Sequence, residues 1–492
     1  MSAPPGPLLG GVRWQGRIFS GGWVPGSGGE YDSVEPATGQ VLARVGAASA
    51  SDVPQAAETA RRAQQEWAAP PYDQRAWVLR RAARLFEDHA DEIDEWLVRE
   101  SGATRPFARF QTGAVAAEEC HEAAALAAHP YGELLRSNQP RLSMARRVPA
   151  GVVAVISPFD APIILSIRAI APALALGNAV LMKPDPRTAV CGGVVLARVF
   201  EEAGLPEGLF HLLPGGADIG GALVEDPLVR VIAFTGSTRA GRQIAAAAGE
   251  RLKRVHLELG GNSALVVLDD VDVEQAVSVG AFGSFNHSGQ ICMATSRHLV
   301  AEKIAADYAA ALAEHAARLP VGDPARTDVA VGPIIDAGQR DRIHEIVTSS
   351  VDAGAKLAAG GTFEGLFYSP TVLTDVPLTA PAYAQEIFGP VAPVVPFSTV
   401  DEAVRLAGGT EYGLSLGILT QDVSKGLALA ERIPSGLVHI NDQTVNDEAL
   451  APFGGVGESG TGSRHGGARA NLEAFTEIQW VTVRGDLPRY PF

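Results

Sequence analysis

GVVAVISP at residues 151–158, AVLMKP at 179–184, RVIAFTG at 230–236 and SALVVLDD at 263–270 decide the fold class. Each is a short run of β-branched and other apolar residues, which predicts a strand buried on both faces. Helical stretches lie between the runs, as parallel strands require. We therefore expect an α/β fold in which these four strands form one parallel, doubly covered sheet.

The sequence on either side extends the same pattern. Residues 51–101 carry apolar side chains at helical spacing, and they predict amphipathic helices that cover the sheet. Residues 281–434 repeat the alternation and predict a second α/β domain. The Gly-rich segment 1–30 predicts an extended arm with turns, and EIQWVTVRG at 477–485 predicts a terminal strand.

Composition and charge narrow the functional classes. The 492 residues include 40 Lys and Arg against 56 Asp and Glu, a formal charge of −16. Because such a charge repels phosphate and anionic lipid, we expect no nucleic-acid and no membrane partner. The three cysteines are too few and too scattered for a disulfide framework or a metal pair, and no histidine spacing indicates a metal site. A reducing, cytoplasmic location is expected.

A nucleotide-type turn follows the strand RVIAFTG. Thr235 to Thr238 form a Gly-containing turn and Gly241 follows as a helix begins, so backbone N–H groups could face an anion. Lys183 ends another strand, at the edge where open α/β sheets bind ligands. The pattern departs from GxGxxG, and the alternatives are a tight connection and a solvated lysine.

Cys292 is the candidate nucleophile. It lies in NHSGQICMATSR at 286–297, where a polar turn precedes an apolar stretch that could begin a helix. A helix N-terminus favours the thiolate, so we expect a lowered pKa for this thiol. The alternative is a small buried hydrophobic residue, which is the interpretation of Cys120 and Cys191.

Glu258 is the candidate general base. It lies between two leucines in HLELGGNSALVV at 256–267. Desolvation by apolar neighbours raises the pKa of a carboxyl group towards the range of a general base. The alternative is a glutamate at a strand edge that points into water.

The whole chain resembles the aldehyde dehydrogenase superfamily. The motifs that carry the resemblance stand in the family's order and spacing: MKP at 182–184, FTGST at 234–238, LELGG at 257–261, GQIC at 289–292 and EIFGP at 386–390. The resemblance implies a Rossmann-type cofactor domain, an α/β catalytic domain and a small oligomerisation element. The implied boundaries are 1–127 with 148–257 for the cofactor domain, 258–455 for the catalytic domain, and 128–147 with 470–492 for the oligomerisation element.

The same resemblance implies an enzyme that oxidises an aldehyde with NAD(P). Cys292 would attack the aldehyde, and Glu258 would activate water to hydrolyse the resulting thioester. The presence of this acid argues against the branch that transfers the acyl group to coenzyme A. The oligomerisation element, with PRLSMARRV at 140–148 and the terminal strand, implies a homodimer or homotetramer.

The cofactor residues implied by the resemblance surround a single cleft. They are Ser157, Pro158, Phe159, Lys183, Gly236, Ser237, Gly241, Glu386 and Phe388. Many NAD-preferring members carry a Glu three residues after the lysine, but Pro186 stands there, followed by Arg187. NAD is the expected cofactor, with NADP possible because a nearby cation could attract a 2′-phosphate.

The chain is most similar to the benzaldehyde and vanillin dehydrogenases within the superfamily, on ILSIRAIAPALALGNAVLMKPDPRTAVCGG and FHLLPGGADIGGALVEDP. This similarity implies an aromatic aldehyde as substrate. Family position assigns Ile164, Ile291, Met293 and Phe453 to an apolar substrate tunnel.

One position departs from the family. Its PWN or PFN motif supplies an Asn that donates to the developing oxyanion, and ISPFDAP places Asp160 there. An ionised Asp has no proton to donate. Asp160 is therefore held protonated, or other donors suffice, or catalysis is weak; a salt bridge away from the site is a further alternative.

Two other functions compete with this interpretation. A thiol hydrolase could use Cys292 with His287 and would need no nucleotide residues. A non-catalytic or weakly active homologue, motivated by Asp160, would bind the cofactor but leave the aldehyde unoxidised.

Overall fold

Two seven-stranded sheets, each covered by helices, make up most of the computed structural model, which describes residues 6–11 and 13–492. The predicted arm at 1–30 therefore falls partly outside the described residues. The strands of the first sheet are, in spatial order, Arg254–Leu259, Val229–Gly236, Val152–Ile156, Ala179–Lys183, Phe210–Leu212, Arg17–Ser20 and Trp23–Pro25. The first five are parallel, and the two strands of the arm join the edge antiparallel.

The second sheet is also largely parallel. Its strands are, in spatial order, Lys356–Ala359, Thr371–Thr374, Val391–Phe397, Thr295–Ala301, Ser263–Val267, Ser415–Leu419 and Leu437–Ile440. Only Lys356–Ala359 runs antiparallel to its neighbour. Apolar side chains are buried on both faces of this sheet, as a sheet covered by helices on both sides requires.

The expectation that the four quoted strands share one sheet is wrong for the last of them. Val152–Ile156, Ala179–Lys183 and Val229–Gly236 lie in the first sheet, but Ser263–Val267 lies in the second. Its predecessor in the chain, Arg254–Leu259, ends only three residues earlier. Two neighbouring parallel strands of one sheet need a crossover connection of about a dozen residues. A three-residue link is too short for such a crossover, so it leads to a strand of another sheet.

A small antiparallel sheet stands apart from both. Its strands are Thr476–Val483, Leu142–Pro149 and Gly132–Leu134, with the outer strands paired to Leu142–Pro149. The predicted terminal strand is therefore present and pairs within its own chain. Shorter pairs join Gly29–Val34 to Val41–Ala47, Phe363–Glu364 to Phe367–Tyr368, and Tyr412–Gly413 to Val456–Gly457.

Helices cover the sheets where the periodicity predicts them, including three between residues 51 and 101. The α-helices are Asp52–Ala68, Tyr72–Asp88, Ala90–Ser101, Arg105–Arg109, Glu118–Leu126, Ile164–Ala175, Val195–Ala203, Ala217–Glu225, Thr238–Glu250, Val273–Phe285, Glu302–Arg318, Ala337–Asp352, Pro381–Ala384, Val400–Gly408, Val423–Ala430 and Gly467–Phe475. Phe110–Ala117 and Val190–Val194 are π-helical, and Pro186–Thr188 and Asn286–Gly289 are 3₁₀ turns. Within the described part of the chain, no helix is long and apolar enough to cross a bilayer.

Candidate active site

A cleft of about 310 Å³ opens at the carboxyl ends of the first sheet. The chain order of that sheet reverses between Val152–Ile156 and Val229–Gly236, because later strands add on both sides of Val152–Ile156. Loops that leave two such strands diverge, which makes this point of an open α/β sheet the usual place for a ligand. Ser157 follows one strand and Ser237 follows the other, and both line the cleft.

The turn after Val229–Gly236 has the form that anion sites use. Ser237 precedes the helix Thr238–Glu250, and its Oγ accepts a hydrogen bond from the backbone N–H of Ala240 at 3.4 Å. The start of this helix faces the cleft through Gly236 and Ser237. Gly241 does not line the cleft. A Cβ on Gly241 would stand 2.4 Å from Cδ2 of Leu259, so this glycine permits close packing of helix on strand.

A second part of the cleft is built around a cation. Lys183 ends its strand with only 8% of its surface exposed, and burial lowers the pKa of its ammonium group. Asp185 and Arg187 line the cleft beside it. Arg187 donates to Asp185 through Nε at 2.9 Å and Nη2 at 2.8 Å, and to Asp336 through Nη1 at 2.5 Å. Its guanidinium lies 4.2 Å above the ring of Phe159.

The opposite wall comes from the second half of the chain. The ring of Phe388 packs edge-on against Phe159 at 5.7 Å between centroids, and its backbone adopts a positive φ of 55°. Glu386 accepts a hydrogen bond from the backbone N–H of Gly261 at 3.1 Å. Burial raises the pKa of Glu386 to about 7. Every predicted cofactor residue except Gly241 lines this cleft.

The loop that carries Cys292 differs from the prediction. A short 3₁₀ turn, Asn286–Gly289, precedes Cys292, and a strand, Thr295–Ala301, follows it, so no helix begins at this thiol. The expected lowering of its pKa by a helix N-terminus is therefore wrong. Tertiary contacts shape the turn: a Cβ on Gly289 would stand 2.2 Å from the carbonyl oxygen of Gly389, in the EIFGP segment.

Hydrogen bonds hold this loop on both sides of the cysteine. The Oε1 of Gln290 accepts from the backbone N–H of Ile335 at 2.9 Å, and its Nε2 donates to the carbonyl of Pro333 at 3.3 Å. The hydroxyl of Thr444 donates to the carbonyl of Met293 at 2.6 Å. These contacts hold the backbone on both sides of the sulfur in place.

The electrostatics at Cys292 favour the neutral thiol. Burial raises the pKa of Cys292 well above its usual range, and the charges of Asp160 and Glu386 raise it further. Arg168 acts in the opposite direction. A thiol in this environment is therefore not a stable thiolate, and it could act as a nucleophile only if a neighbouring base took its proton.

Glu258 lies in the first sheet near its carboxyl edge and is 2% exposed. Both carboxylate oxygens lack a hydrogen-bond partner among the described residues. Burial raises the pKa of Glu258 to about 8, although the charges of Arg168 and Arg464 oppose the shift. The expectation of a desolvated carboxyl group is confirmed, and the alternative of a strand-edge glutamate in water is wrong.

Asp160 is buried and lines the cleft next to Cys292. Burial and the charge of Glu386 raise the pKa of Asp160 to about 7. None of the described ion pairs includes Asp160, so the salt-bridge alternative is not observed. A carboxyl group with this pKa is neutral in about half of the molecules at pH 7 and can then donate a hydrogen bond.

A second, narrow cavity, here called the tunnel, also reaches Cys292. Cys292 and Asp160 line both cavities. The other residues that line the tunnel are Phe107, Phe110, Ala161, Ile164, Leu165, Arg168, Ile291, Met293, Val445, Asn446 and Asp447. The free space is about 30 Å³, so an aromatic ring enters only after side chains turn aside.

Three of the four predicted substrate residues line this tunnel: Ile164, Ile291 and Met293. Phe453 lies behind it, with its ring 4.3 Å from Cζ of Arg168. The sequence reasoning missed Arg168, although a single charged residue in the apolar run IILSIRAIAPALALG was a visible signal. It also missed Asp447, for which the sequence gives no comparable signal.

His287 has no part in either cavity. Its ring packs against Phe107 at 4.7 Å between centroids, and burial lowers the pKa of His287 to about 4. The imidazole is therefore neutral and buried. This geometry gives no support to a Cys292–His287 hydrolase.

The fold and the site together are those expected of an oxidoreductase: a cleft lies at the carboxyl ends of a parallel sheet, and a thiol lines it. The family model for the aldehyde dehydrogenase family matches residues 23–481. The chain therefore belongs to the aldehyde dehydrogenase family, as the motifs predicted.

Curated relatives match along almost the full length. A vanillin dehydrogenase of Amycolatopsis sp. is 64% identical over 480 residues, which covers 98% of this chain and 99% of that protein. A benzaldehyde dehydrogenase [NAD(+)] of Pseudomonas putida is 46% identical and covers 97% and 98%. These relatives give no support to a non-catalytic homologue.

Solved structures share the fold. A salicylaldehyde dehydrogenase from Pseudomonas putida G7, complexed with salicylaldehyde, is 36% identical with a TM-score of 0.93, and the match covers 97% of this chain and 99% of that one. A betaine aldehyde dehydrogenase from Staphylococcus aureus in complex with NAD+ is 28% identical with a TM-score of 0.94 and covers 97% of each chain. The predicted α/β fold of this family is confirmed.

Proposed function

We propose that this protein oxidises an aromatic aldehyde to the carboxylic acid, with NAD as the hydride acceptor and Cys292 as the nucleophile. The observation that carries the proposal is the position of Cys292, where the cleft of the first sheet meets the apolar tunnel. At this position one sulfur could contact both an aldehyde in the tunnel and a nucleotide in the cleft. Relatives that act on vanillin and benzaldehyde favour an aromatic substrate.

The cleft has the donors that a dinucleotide needs. Lys183 offers a largely desolvated ammonium group, and Gly236 and Ser237 offer the start of a helix to a phosphate. Arg187 is the cation that could attract the 2′-phosphate of NADP. Its guanidinium is already paired, because it donates to both Asp185 and Asp336. The carboxylate of Asp185 beside Lys183 also repels a 2′-phosphate. NAD is therefore the proposed cofactor.

The chemistry begins with addition of the Cys292 sulfur to the aldehyde carbon. Its proton leaves to a neighbouring base, and Glu258, with a raised pKa, is suited to accept it. The carbonyl oxygen becomes the oxyanion of a thiohemiacetal. When bound in the cleft, NAD supplies the acceptor for the hydride of that carbon. A thioester on Cys292 remains.

Hydrolysis of the thioester completes the reaction. Glu258 first releases the proton of Cys292 to solvent and then removes a proton from water. The water oxygen attacks the thioester carbon, the C–S bond breaks, and the leaving sulfur takes the proton from Glu258, so that the acid and the thiol are released. Overall, aldehyde, NAD+ and water give carboxylate, NADH and two protons. Asp160, in its neutral form, donates a hydrogen bond to the oxyanion at both steps.

The three sheets correspond to three proposed functional parts of the chain. We assign cofactor binding to residues 1–127 and 148–257, catalysis to 258–455, and subunit assembly to 128–147 and 470–492. The described residues support this assignment, because the first sheet carries Lys183 and Ser237 and the loop of Cys292 enters the second.

Assembly into a homodimer or homotetramer is proposed from the small sheet. Ile478 and Trp480 lie two residues apart on one strand, and each is nearly two-thirds exposed. Exposed apolar side chains grouped on a sheet mark a protein interface. A cytoplasmic location is also proposed, since all three cysteines are free thiols.

The test uses purified protein, NAD and benzaldehyde, with NADH followed by absorbance. We expect steady turnover in the wild type and none in Cys292→Ala, whereas NAD binding measured by calorimetry persists. Cys120→Ala is the matched control, because Cys120 is a buried thiol outside both cavities. Undiminished turnover in Cys292→Ala would remove this residue from the mechanism.

A further inference from the structure

Phe110 lies at the opening of the tunnel. It lines this cavity, yet 37% of its surface is exposed. Most other members of the wall are buried: Phe107, Ile164 and Met293 are each at most 7% exposed. A side chain that both lines a cavity and reaches solvent stands at the mouth of that cavity. The ring of Phe110 therefore separates the tunnel from the surrounding water.

Few contacts hold the side chain of Phe110 in this place. Its ring stacks on the ring of Phe107, with 6.3 Å between the centroids and 19° between the planes. Phe107 packs in turn against His287 at 4.7 Å and belongs to the buried core. Because exposed side chains change rotamer rapidly, the ring of Phe110 can leave this stack while Phe107 stays in place.

Val445 and Asn446 are also half-buried members of the wall, but hydrogen bonds hold both of them. The backbone N–H and C=O of Val445 both bond to the side-chain amide of Gln443. Nδ2 of Asn446 donates to Oδ2 of Asp442 at 3.0 Å. Turning either residue aside would break such bonds, whereas turning the ring of Phe110 breaks none.

The backbone that carries Phe110 has an unusual form. Phe110 begins the π-helical stretch Phe110–Ala117, which joins the α-helices Arg105–Arg109 and Glu118–Leu126. π-helical turns within α-helices are rare and occur frequently at functional sites. Gly113 lies inside the stretch, and a Cβ on it would meet no atom within 4 Å. Neither a side chain nor a neighbouring element holds the turn at this point.

Gln111 indicates that this stretch has a second conformation. It is fully buried, and its Oε1 and Nε2 both lack a hydrogen-bond partner among the described residues. Buried amides without partners are rare, because each one costs free energy. The observed conformation is therefore destabilised relative to one that satisfies the amide. A shift of the π-helical turn would move Gln111 and its neighbour Phe110 together.

We propose that Phe110 is a gate that sets the largest aldehyde the enzyme accepts. In the observed conformation its ring helps to restrict the tunnel to about 30 Å³. When the π-helical turn shifts, the ring swings into solvent and an aromatic aldehyde can reach Cys292. This inference rests on the proposed function, because it assumes that the aldehyde enters through the tunnel. Phe110 determines specificity and takes no part in the chemical steps.

The first test varies the size of this side chain and of the aldehyde. kcat/KM is measured with saturating NAD for propanal, benzaldehyde and 2-naphthaldehyde. Phe110→Ala should raise the ratio of 2-naphthaldehyde to propanal about tenfold or more, and Phe110→Trp should lower it by a similar factor. Phe282→Ala is the matched control and should keep the wild-type ratio, because Phe282 is an exposed phenylalanine on the helix Val273–Phe285 and lines neither cavity.

The second test needs no turnover. With NAD in the cleft, the tunnel is the route left open to Cys292, while Cys120 and Cys191 are buried. Alkylation of Cys292 by iodoacetamide, which is small, is compared with alkylation by N-phenylmaleimide, which carries a ring, and mass spectrometry follows both. Phe110→Ala should raise the ratio of the N-phenylmaleimide rate to the iodoacetamide rate about tenfold, and Phe282→Ala should leave it unchanged.

The third test addresses the π-helical turn. Gln111→Leu keeps the size of the side chain but removes the amide, so it should stabilise the closed conformation. Its Tm should rise by about 1 to 3 °C, while the kcat/KM ratio of 2-naphthaldehyde to propanal falls about threefold to tenfold. A lower Tm, or a ratio that does not fall, would refute the shift of this turn.

The outcomes separate this inference from the proposed function. Wild-type ratios in Phe110→Ala, in kinetics and in alkylation, would show that its ring is not the gate. An equal gain with every aldehyde and both reagents would also overturn the inference, because it would mean that the whole site has loosened. Absence of NADH with all three aldehydes, together with the expected change in alkylation, would contradict the proposed function alone.

Discussion

Arg187 binds the carboxylate of Asp185 with two hydrogen bonds, of 2.9 Å from Nε and 2.8 Å from Nη2. The pair is planar and bidentate, the strongest arrangement for these groups. Many NAD-preferring members of the family carry a glutamate at the position that follows Asp185, where this chain has Pro186. Asp185 therefore places a carboxylate in the cleft one residue before that position.

The first prediction follows from this pair. In Asp185→Asn, the carboxylate charge beside Lys183 is lost and Arg187 is freed on one side, so a 2′-phosphate becomes attractive rather than repulsive. We expect the ratio of kcat/KM for NADP to that for NAD to rise by about tenfold or more. Steady-state kinetics with both cofactors measures it.

Asp336→Asn is the control for that variant. It removes the other partner of Arg187 but keeps the charge of Asp185. Its cofactor preference should stay close to the wild type. An equal shift in both variants would mean that freeing the guanidinium, and not the loss of the Asp185 charge, sets the selectivity.

The second prediction concerns Glu258 and pH. The base must be ionised, and burial raises its pKa to about 8, so thioester hydrolysis should fall about tenfold per pH unit below 8 and level off above it. Glu258→Gln should slow hydrolysis by about 100- to 10,000-fold. Because Glu258 also accepts the proton of Cys292 in the first step, the first turnover of NADH should slow in the same variant, and stopped flow should show no burst.

Glu119 provides a matched control. It is also buried, with a pKa raised to about 8 by burial, but it lines neither cavity. Glu119→Gln should keep the pH dependence of hydrolysis. If the dependence disappears in this variant and persists in Glu258→Gln, the titrating group has been assigned to the wrong glutamate.

The third prediction concerns assembly. Ile478→Lys places a charge on the exposed apolar face of the small sheet and should shift the protein towards smaller species in light scattering coupled to size exclusion. Leu427→Lys changes an exposed leucine on the helix Val423–Ala430 and should not. A wild type that is itself monomeric at micromolar concentration would refute the proposed homo-oligomer.

The buried strands could be predicted from the sequence because their pattern is local. Val152–Ile156 and Ala179–Lys183 are apolar at every position but the terminal lysine, and no other element fits a run of that length. The helix Thr238–Glu250 is also predicted by local sequence, because the alanine-rich run after Gly241 favours a helix. The sheet to which Ser263–Val267 belongs also follows from chain length, once the three-residue link is considered.

The parts that sequence could not provide depend on distant contacts. The backbone at Cys292 is shaped by Gly389, almost 100 residues away, so local pattern suggested a helix where a turn and a strand occur. Arg187 is paired with Asp336, 149 residues along the chain. Arg168 meets Asp447 across 279 residues. Such pairs join different elements, and only the fold brings them together.

The last prediction concerns Asp160, whose protonation state decides whether it helps or hinders. Below its pKa of about 7 the carboxyl group is neutral and donates to the oxyanion; above it, the ionised group repels the same charge. Asp160→Asn donates at every pH. The ratio of the variant's rate to the wild-type rate should therefore rise with pH. From the ionised fraction of Asp160, we expect a ratio of roughly 2 at pH 7 and about 10 at pH 8.

The two enzymes must be compared at saturating NAD across about pH 6 to 9. Because the ionisation of Glu258 affects both rates equally, it cancels in their ratio. A ratio that is flat across this range would mean that Asp160 does not titrate there. A variant slower than the wild type at every pH would mean that the acid moves a proton itself. Only a ratio that rises through pH 7 fits a neutral carboxyl group that serves as the oxyanion donor in place of an amide.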